Sequence, residues 1–309
     1  MKRHPLLLFF IVAFATTWPF LILEALGSQG VTQYRMPFPL LLLMAYGPTI
    51  AALLVTGLCE GKSGIAALLR QFLRWPVGIQ WFLIAIFGMA GLFFLAYQIS
   101  IWLGYPQPPA SELPISPILA APVLLIVSLL TNGEEIGWRG FALPRLQARF
   151  SAFNSSLILG VVWAAFHLPL FWTVGSTQAG QPMAGFFVSV LAVSVIVTWL
   201  YNNTGGSLLI VTLFHASANT WSRIIPGIDT AHSAVGPIYW MTIGLTVLAA
   251  VLVTLVYGRE NLSRRAERQR KIAPVFGDEV TIETGDQTAD KLPIPISPVS
   301  DNLQDLNPL

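Results

Sequence analysis

Ile115 to Gly140 reads ISPILAAPVLLIVSLLTNGEEIGWRG. The first part carries no charge, with Pro117 and Pro122 early in it. Asn132-Gly133 then interrupts the run, and Glu134, Glu135 and Arg139 follow before apolar character ends near Phe141. A helix needs roughly 20 apolar residues to cross the hydrocarbon of a bilayer. The stretch is that long, so it predicts a membrane span, irregular in its second half and carrying ionisable groups inside it.

The rest of the chain agrees. It has 309 residues, 54% hydrophobic and only 10% charged, with a mean hydropathy of +0.67. A soluble domain carries about 25% charge, so these few charges cannot cover a water-facing surface. The composition predicts an all-α, polytopic integral membrane protein. It excludes solenoids, coiled coils, disulfide scaffolds and disordered chains. A net charge of +2 implies no nucleic-acid partner. Cys59 is the single cysteine, so no intrachain disulfide can form.

Eight windows meet the length criterion: 5–26, 38–59, 78–104, 115–140, 153–174, 183–201, 206–224 and 236–258. Basic residues set their orientation. Lys2 and Arg3 precede the first span. Lys62, Arg70 and Arg74 lie between the second and third, and Arg145 and Arg149 between the fourth and fifth. Arg259, Arg264, Arg265, Arg268, Arg270 and Lys271 follow the eighth. With eight spans, all four sites fall on one side. The opposite loops carry only Arg35 and Arg223. The expectation is N-in and C-in, in the plasma membrane if the source is bacterial. Residues 1–258 are then a transmembrane domain, 259–271 a basic, helical juxtamembrane segment, and 272–309 a disordered cytoplasmic tail rich in Pro, Asp, Thr and Gly.

Ionisable groups inside spans are costly and mark function by default. Here they are Glu134, Glu135, Arg139, His167 and His215, with Asn219 one helical turn beyond His215. At about 1.5 Å per residue, Glu134 and His215 lie about 10 Å, and His167 about 15 Å, from the cationic side. Three separate segments agree in depth, which predicts one shared, water-filled cavity opening to the cytoplasm. Bland readings stand beside this. Glu135 and Arg139 are spaced i,i+4 and fit an ion pair along one helix face. Asn132 with Glu135 also fits a capping box. Glu134 points elsewhere and has no evident local partner.

Glu134 is a candidate general base, and His167 can share the activated water. His215 and Asn219 can donate to a developing oxyanion. That is a plan for hydrolysing an amide. No G-x-S-x-G elbow surrounds Ser128, Ser189, Ser194 or Ser217, and H-E-x-x-H is absent. Glu134, His167 and His215 would also make a Zn²⁺ ligand set with an open position, so a metal is left open at this stage.

At these residues the sequence resembles the CPBP group of intramembrane proteases, which includes type II CAAX prenyl proteases and bacteriocin-processing or immunity proteins. E-E-x-x-x-R reads Glu134-Glu135-Ile136-Gly137-Trp138-Arg139. F-x-x-x-H reads Trp163-Ala164-Ala165-Phe166-His167. H-x-x-x-N reads His215-Ala216-Ser217-Ala218-Asn219. The match covers about 120–222. It implies an eight-helix membrane fold and peptide-bond hydrolysis, possible metalloendopeptidase chemistry, Glu134 and His167 activating water, His215 and Asn219 forming the oxyanion site, and Glu135 and Arg139 in structural support. Trp163 departs from the usual Phe. The larger ring keeps an aromatic beside His167 but narrows the pocket, which bears on substrate choice more than on activity.

The expected function is an endopeptidase embedded in membrane lipid, acting on a peptide or protein substrate, either prenylated or a membrane segment. Two rivals remain: a non-enzymatic immunity or scaffold protein of the same fold, and a proton-coupled transporter using Glu134 and His167 as a relay.

Overall fold

The computed structural model describes residues 4–106, 116–228 and 235–264. The described residues form helices joined by turns, with no strand among them. They are α1 (Pro5–Ser28), α2 (Phe38–Ala45), α3 (Gly47–Leu69), α4 (Ile79–Trp102), α5 (Pro117–Thr131), α6 (Leu143–Gln147), α7 (Ala152–Phe166), α8 (Met183–Asn203), α9 (Leu208–Ile224) and α10 (Pro237–Tyr257). A wide π-helical turn, Ile136–Ala142, leads into α6, and short 3₁₀ turns follow α3 and α7.

Six helices are long and apolar enough to cross a bilayer, and the pair Leu119–Thr131 and Ile136–Gln147, bent by 56°, makes a seventh. All eight windows read from the sequence are helical. The remaining one, α9, has 17 residues and carries His215, Asn219 and Arg223. The second window is displaced. The chain breaks at Tyr46, and α3 runs on to Leu69, past the polar Glu60–Ser63 stretch. Glu60 is held there by Arg145 at 2.6 Å, and Gly61 bends the helix at φ 69°.

Helix starts follow local chemistry. Ser151 and Ser207 cap α7 and α9 by accepting from the backbone N–H groups of Asn154 and Ile210. Pro5 and Pro237 occupy the first turns of α1 and α10, where their missing N–H costs nothing. α8 is the central helix, buried without interruption from Ser194 to Asn203. It packs on α7, α9 and α10, while α9 also packs on α4 and α5. Gly160 lets α7 and α8 approach closely, since a Cβ there would meet Leu191 Cα at 3.2 Å.

The chain has two distinct ends. At one end, Gln147 bonds Asn202, Arg74 donates to the Gly205 carbonyl, and Arg145 pairs with Glu60. Lys62, near the bend of α3, and Arg70, Arg149 and Arg259, in the connections, lie at this same end. At the other, Gln29 donates to the Trp172 carbonyl, the Val174 N–H to Ser28, and the Tyr239 hydroxyl to Gln181.

Residues 259–264 correct an expectation. They form turns rather than a surface helix. Their carbonyls are in demand: Arg259 and Glu260 accept from the first N–H groups near α7, and Asn261 and Leu262 accept from Asn202 and Asn203. Leu262 is fully buried beneath them. The remainder of the basic segment and the tail, 265–309, lie outside the described residues.

Candidate active site

The break between α5 and the π-helical turn sets the site. Non-helical backbone at membrane depth survives only when protein satisfies its polar groups. Here the α2–α3 junction does so. Tyr46 Oη donates to the Leu130 carbonyl at 2.6 Å, and Thr49 Oγ1 donates to that of Gly133. The Glu134 carbonyl accepts from the N–H groups of Gly137 and Trp138. A Cβ on Gly133 would overlap the Tyr46 ring, and one on Gly137 would meet the Pro48 carbonyl oxygen at 2.5 Å. Both glycines are therefore needed for this approach. π-Helical insertions recur at functional sites because they re-aim side chains.

Two adjacent carboxylates leave the break in different directions. Glu134 Oε2 accepts from two indoles, Trp138 Nε1 at 2.8 Å and Trp163 Nε1 at 2.7 Å. That leaves Oε1 facing His167 Nε2 at 3.8 Å. Glu135, 1% exposed, accepts on Oε1 from Arg139 Nη1 at 3.0 Å and His215 Nδ1 at 2.8 Å. The expected i,i+4 pair with Arg139 is present. The capping box is not: Asn132 and Glu135 make no cap bond, because Glu135 is claimed by a cation and an imidazole instead.

His167 closes α7, where the helix tightens. Its N–H bonds the Ala164 carbonyl, which frees the carbonyl of Trp163. His167 Nδ1 lies 2.8 Å from that oxygen. A carbonyl only accepts, so Nδ1 carries the proton. In the neutral ring, Nε2 then presents its lone pair toward Glu134.

Trp163 is the hub of the arrangement. Its indole N–H holds Glu134, its carbonyl holds His167, and its ring lies 5.3 Å from that of His215. The Arg139 guanidinium sits 4.2 Å above it in a cation–π contact. Pocket width was the expected consequence of Trp at this position. The structure adds a hydrogen bond that Phe cannot make. Trp138 is a site residue that sequence reading missed, though its i,i+4 spacing from Glu134 was visible. The Glu135–His215 bond joins residues 80 positions apart and has no sequence signature.

His167, His215, Asn219 and Trp163 line one cavity of about 230 Å³. Its other walls come from Met89 and Phe93 of α4, Ser189 and Val193 of α8, and Thr242 of α10.

Among the described residues no three His, Cys, Asp or Glu side chains form a metal-holding group. Hydrogen bonds occupy Glu134 Oε2, His167 Nδ1 and His215 Nδ1 and leave Glu134 Oε1, His167 Nε2 and His215 Nε2 unclaimed by them.

Comparison with known proteins follows the same segment. Residues 114–221 match the family model for type II CAAX prenyl endopeptidase Rce1-like proteins. A CAAX prenyl protease 2 from Methanococcus maripaludis is 35% identical over 104 residues, which is 32% of this chain and 38% of that protein. The chain therefore spans little more than a third of that relative's length. The resemblance carried by the three motifs is borne out over the segment that holds Glu134, His167, His215 and Asn219.

Proposed function

We propose that the protein is an intramembrane endopeptidase that hydrolyses a peptide bond with water activated between Glu134 and His167. One observation carries this reading: Glu134 Oε1 and His167 Nε2 face each other at 3.8 Å, and His167 lines a cavity. Each is anchored from behind by hydrogen bonds. A water placed against both donates one O–H to each and turns a lone pair toward the cavity. Attack on a peptide carbonyl passes the water's proton to Glu134, which then delivers it to the departing amine.

The oxyanion that forms needs donors on the opposite side. The Asn219 amide supplies one. His215 supplies another from Nε2 in its imidazolium form, since Nδ1 already donates to Glu135. Arg139 and Glu135 hold His215, and Trp138 and Trp163 hold Glu134. No step requires a metal. The substrate is a polypeptide segment reached within the membrane, with surrounding lipid as the solvent.

Purified Glu134→Ala and His167→Ala variants, assayed against a peptide library, test the assignment. Loss of cleavage with folding intact supports it and rejects both the scaffold and the transporter. Cleavage that survives both substitutions would sink it.

A further inference from the structure

We propose that a second cavity, at the cationic end, binds the phosphodiester headgroup of an anionic phospholipid. This cavity is separate from the one lined by His167 and His215, and the proposal stands whether or not the protein is a peptidase.

The cavity has a volume of about 380 Å³ and lies between two connections. The α3–α4 connection supplies Arg74, Val77 and Gly78, and the α8–α9 connection supplies Thr204 and Gly205. Trp81, in the first turn of α4, completes the wall. Its ring packs edge-on against that of Trp199, with centroids 5.3 Å apart, which fixes that side. Pockets of about 300–1,000 Å³ hold small ligands, so there is room for a headgroup.

Arg74 gives the cavity its chemistry. Its Nη1 donates to the Gly205 carbonyl at 3.1 Å. Gly205 and Gly206 both hold positive φ, at 69° and 79°, and a Cβ on Gly206 would meet Arg74 Nη1 at 2.6 Å. The backbone is thus built to seat this guanidinium. No carboxylate completes the seat. Arg139 pairs with Glu135 and Arg145 with Glu60, whereas among the described residues no Asp or Glu pairs with Arg74. A guanidinium presents a planar fork of N–H donors that matches phosphate oxygens, and the Gly205 carbonyl leaves most of that fork unused. The start of α4 has the same polarity. Gly78 offers no capping side chain to the first N–H groups of that helix.

The surroundings favour a lipid over a free anion. Leu73, Trp75 and Ile79 flank the cavity with large exposed apolar side chains. The membrane-crossing part of α4 starts at Ile79. Aromatic and basic residues at the ends of spans mark the level of the headgroups, so Arg74 sits where a bilayer places its phosphates. Basic pockets between spanning helices take anionic headgroups by this chemistry. A zwitterionic lipid carries its own cation beside the phosphate, and the unmatched charge of Arg74 selects against it.

Lipid titration of the full chain tests this. The protein, purified in a neutral detergent, is titrated with dioleoylphosphatidylglycerol, and bound lipid is counted by native mass spectrometry. The wild type should bind it at a single site in preference to dioleoylphosphatidylcholine. Arg74→Gln should weaken that binding about tenfold or more, through lost hydrogen bonds to a charged group. Arg149→Gln removes an exposed cation from the same end and should leave binding unchanged. Val77→Trp keeps the guanidinium but fills the cavity, and should weaken binding as Arg74→Gln does. It decides the matter alone if Arg74→Gln does not fold. Equal binding of the two lipids, equal losses from Arg74→Gln and Arg149→Gln, or full binding in Val77→Trp overturns the site. Inorganic phosphate that displaces the lipid at equal concentration overturns the lipid source and makes this a site for a free anion.

Discussion

The two halves of this bundle are built from the same kinds of residue but packed differently. The cationic half closes over Phe141, Leu143, Leu208 and Tyr201, with the Tyr201 hydroxyl donating to Gln71. The opposite half leaves a cavity among α4, α7, α8, α9 and α10. Glu134 and Glu135 sit at the boundary and divide along it. Glu135 turns to Arg139 and His215, and Glu134 turns to two indoles and His167. The lesson is that neighbouring carboxylates in one motif do different work when their environments differ. One is buried against a cation and an imidazole, and the other is held by two indoles with an oxygen facing His167.

Substitutions sharpen that contrast. The largest effect belongs to the oxygen facing His167: Glu134→Gln should lower kcat/KM by about 10²–10⁴-fold with little loss of stability, read by peptide cleavage beside a thermal melt. Arg139→Ala should act in the other sense. It leaves Glu135 buried without its cation, a change worth about 3–5 kcal/mol of stability. Thermal unfolding in detergent should register it, and an unchanged melt would contradict the paired role of Glu135.

Trp163→Phe separates ring from donor. Phe keeps an aromatic over Arg139 but loses the N–H to Glu134. Hydrogen bonds to charged groups contribute about 1.5–3 kcal/mol, so kcat should fall about ten- to a hundredfold. KM for a small substrate should rise little. An unchanged kcat with a shifted substrate preference would return Trp163 to a role in pocket width alone. Tyr201→Phe, in the cationic half, should be smallest. It costs about 1 kcal/mol through the lost bond to Gln71 and leaves kcat/KM unchanged.

Much of the fold was legible because apolar length is a strong signal in a chain with so few charges. The windows around α1, α4, α8, α9 and α10 fall within a few residues of the helices. The break after Asn132 was legible from the sequence itself. The displacement of α3 was not, since Glu60–Ser63 reads as a helix end until Arg145 is seen to hold Glu60. The turns at 259–264 were hidden for a similar reason: their partners, Asn202 and Asn203, lie far off in sequence. In the site, residue types and spacings singled out Glu134, Glu135, Arg139, His167, His215 and Asn219. The bonds that give them different tasks are tertiary.

The central claim is that Glu134 and His167 act as one unit on one water. A double-mutant cycle of Glu134→Gln and His167→Ala, measured as kcat/KM on a single cleaved peptide, tests it directly. Residues that act together are strongly non-additive, so the double variant should be no more impaired than the worse single one. Losses that multiply would contradict the shared water and separate the two residues into independent roles.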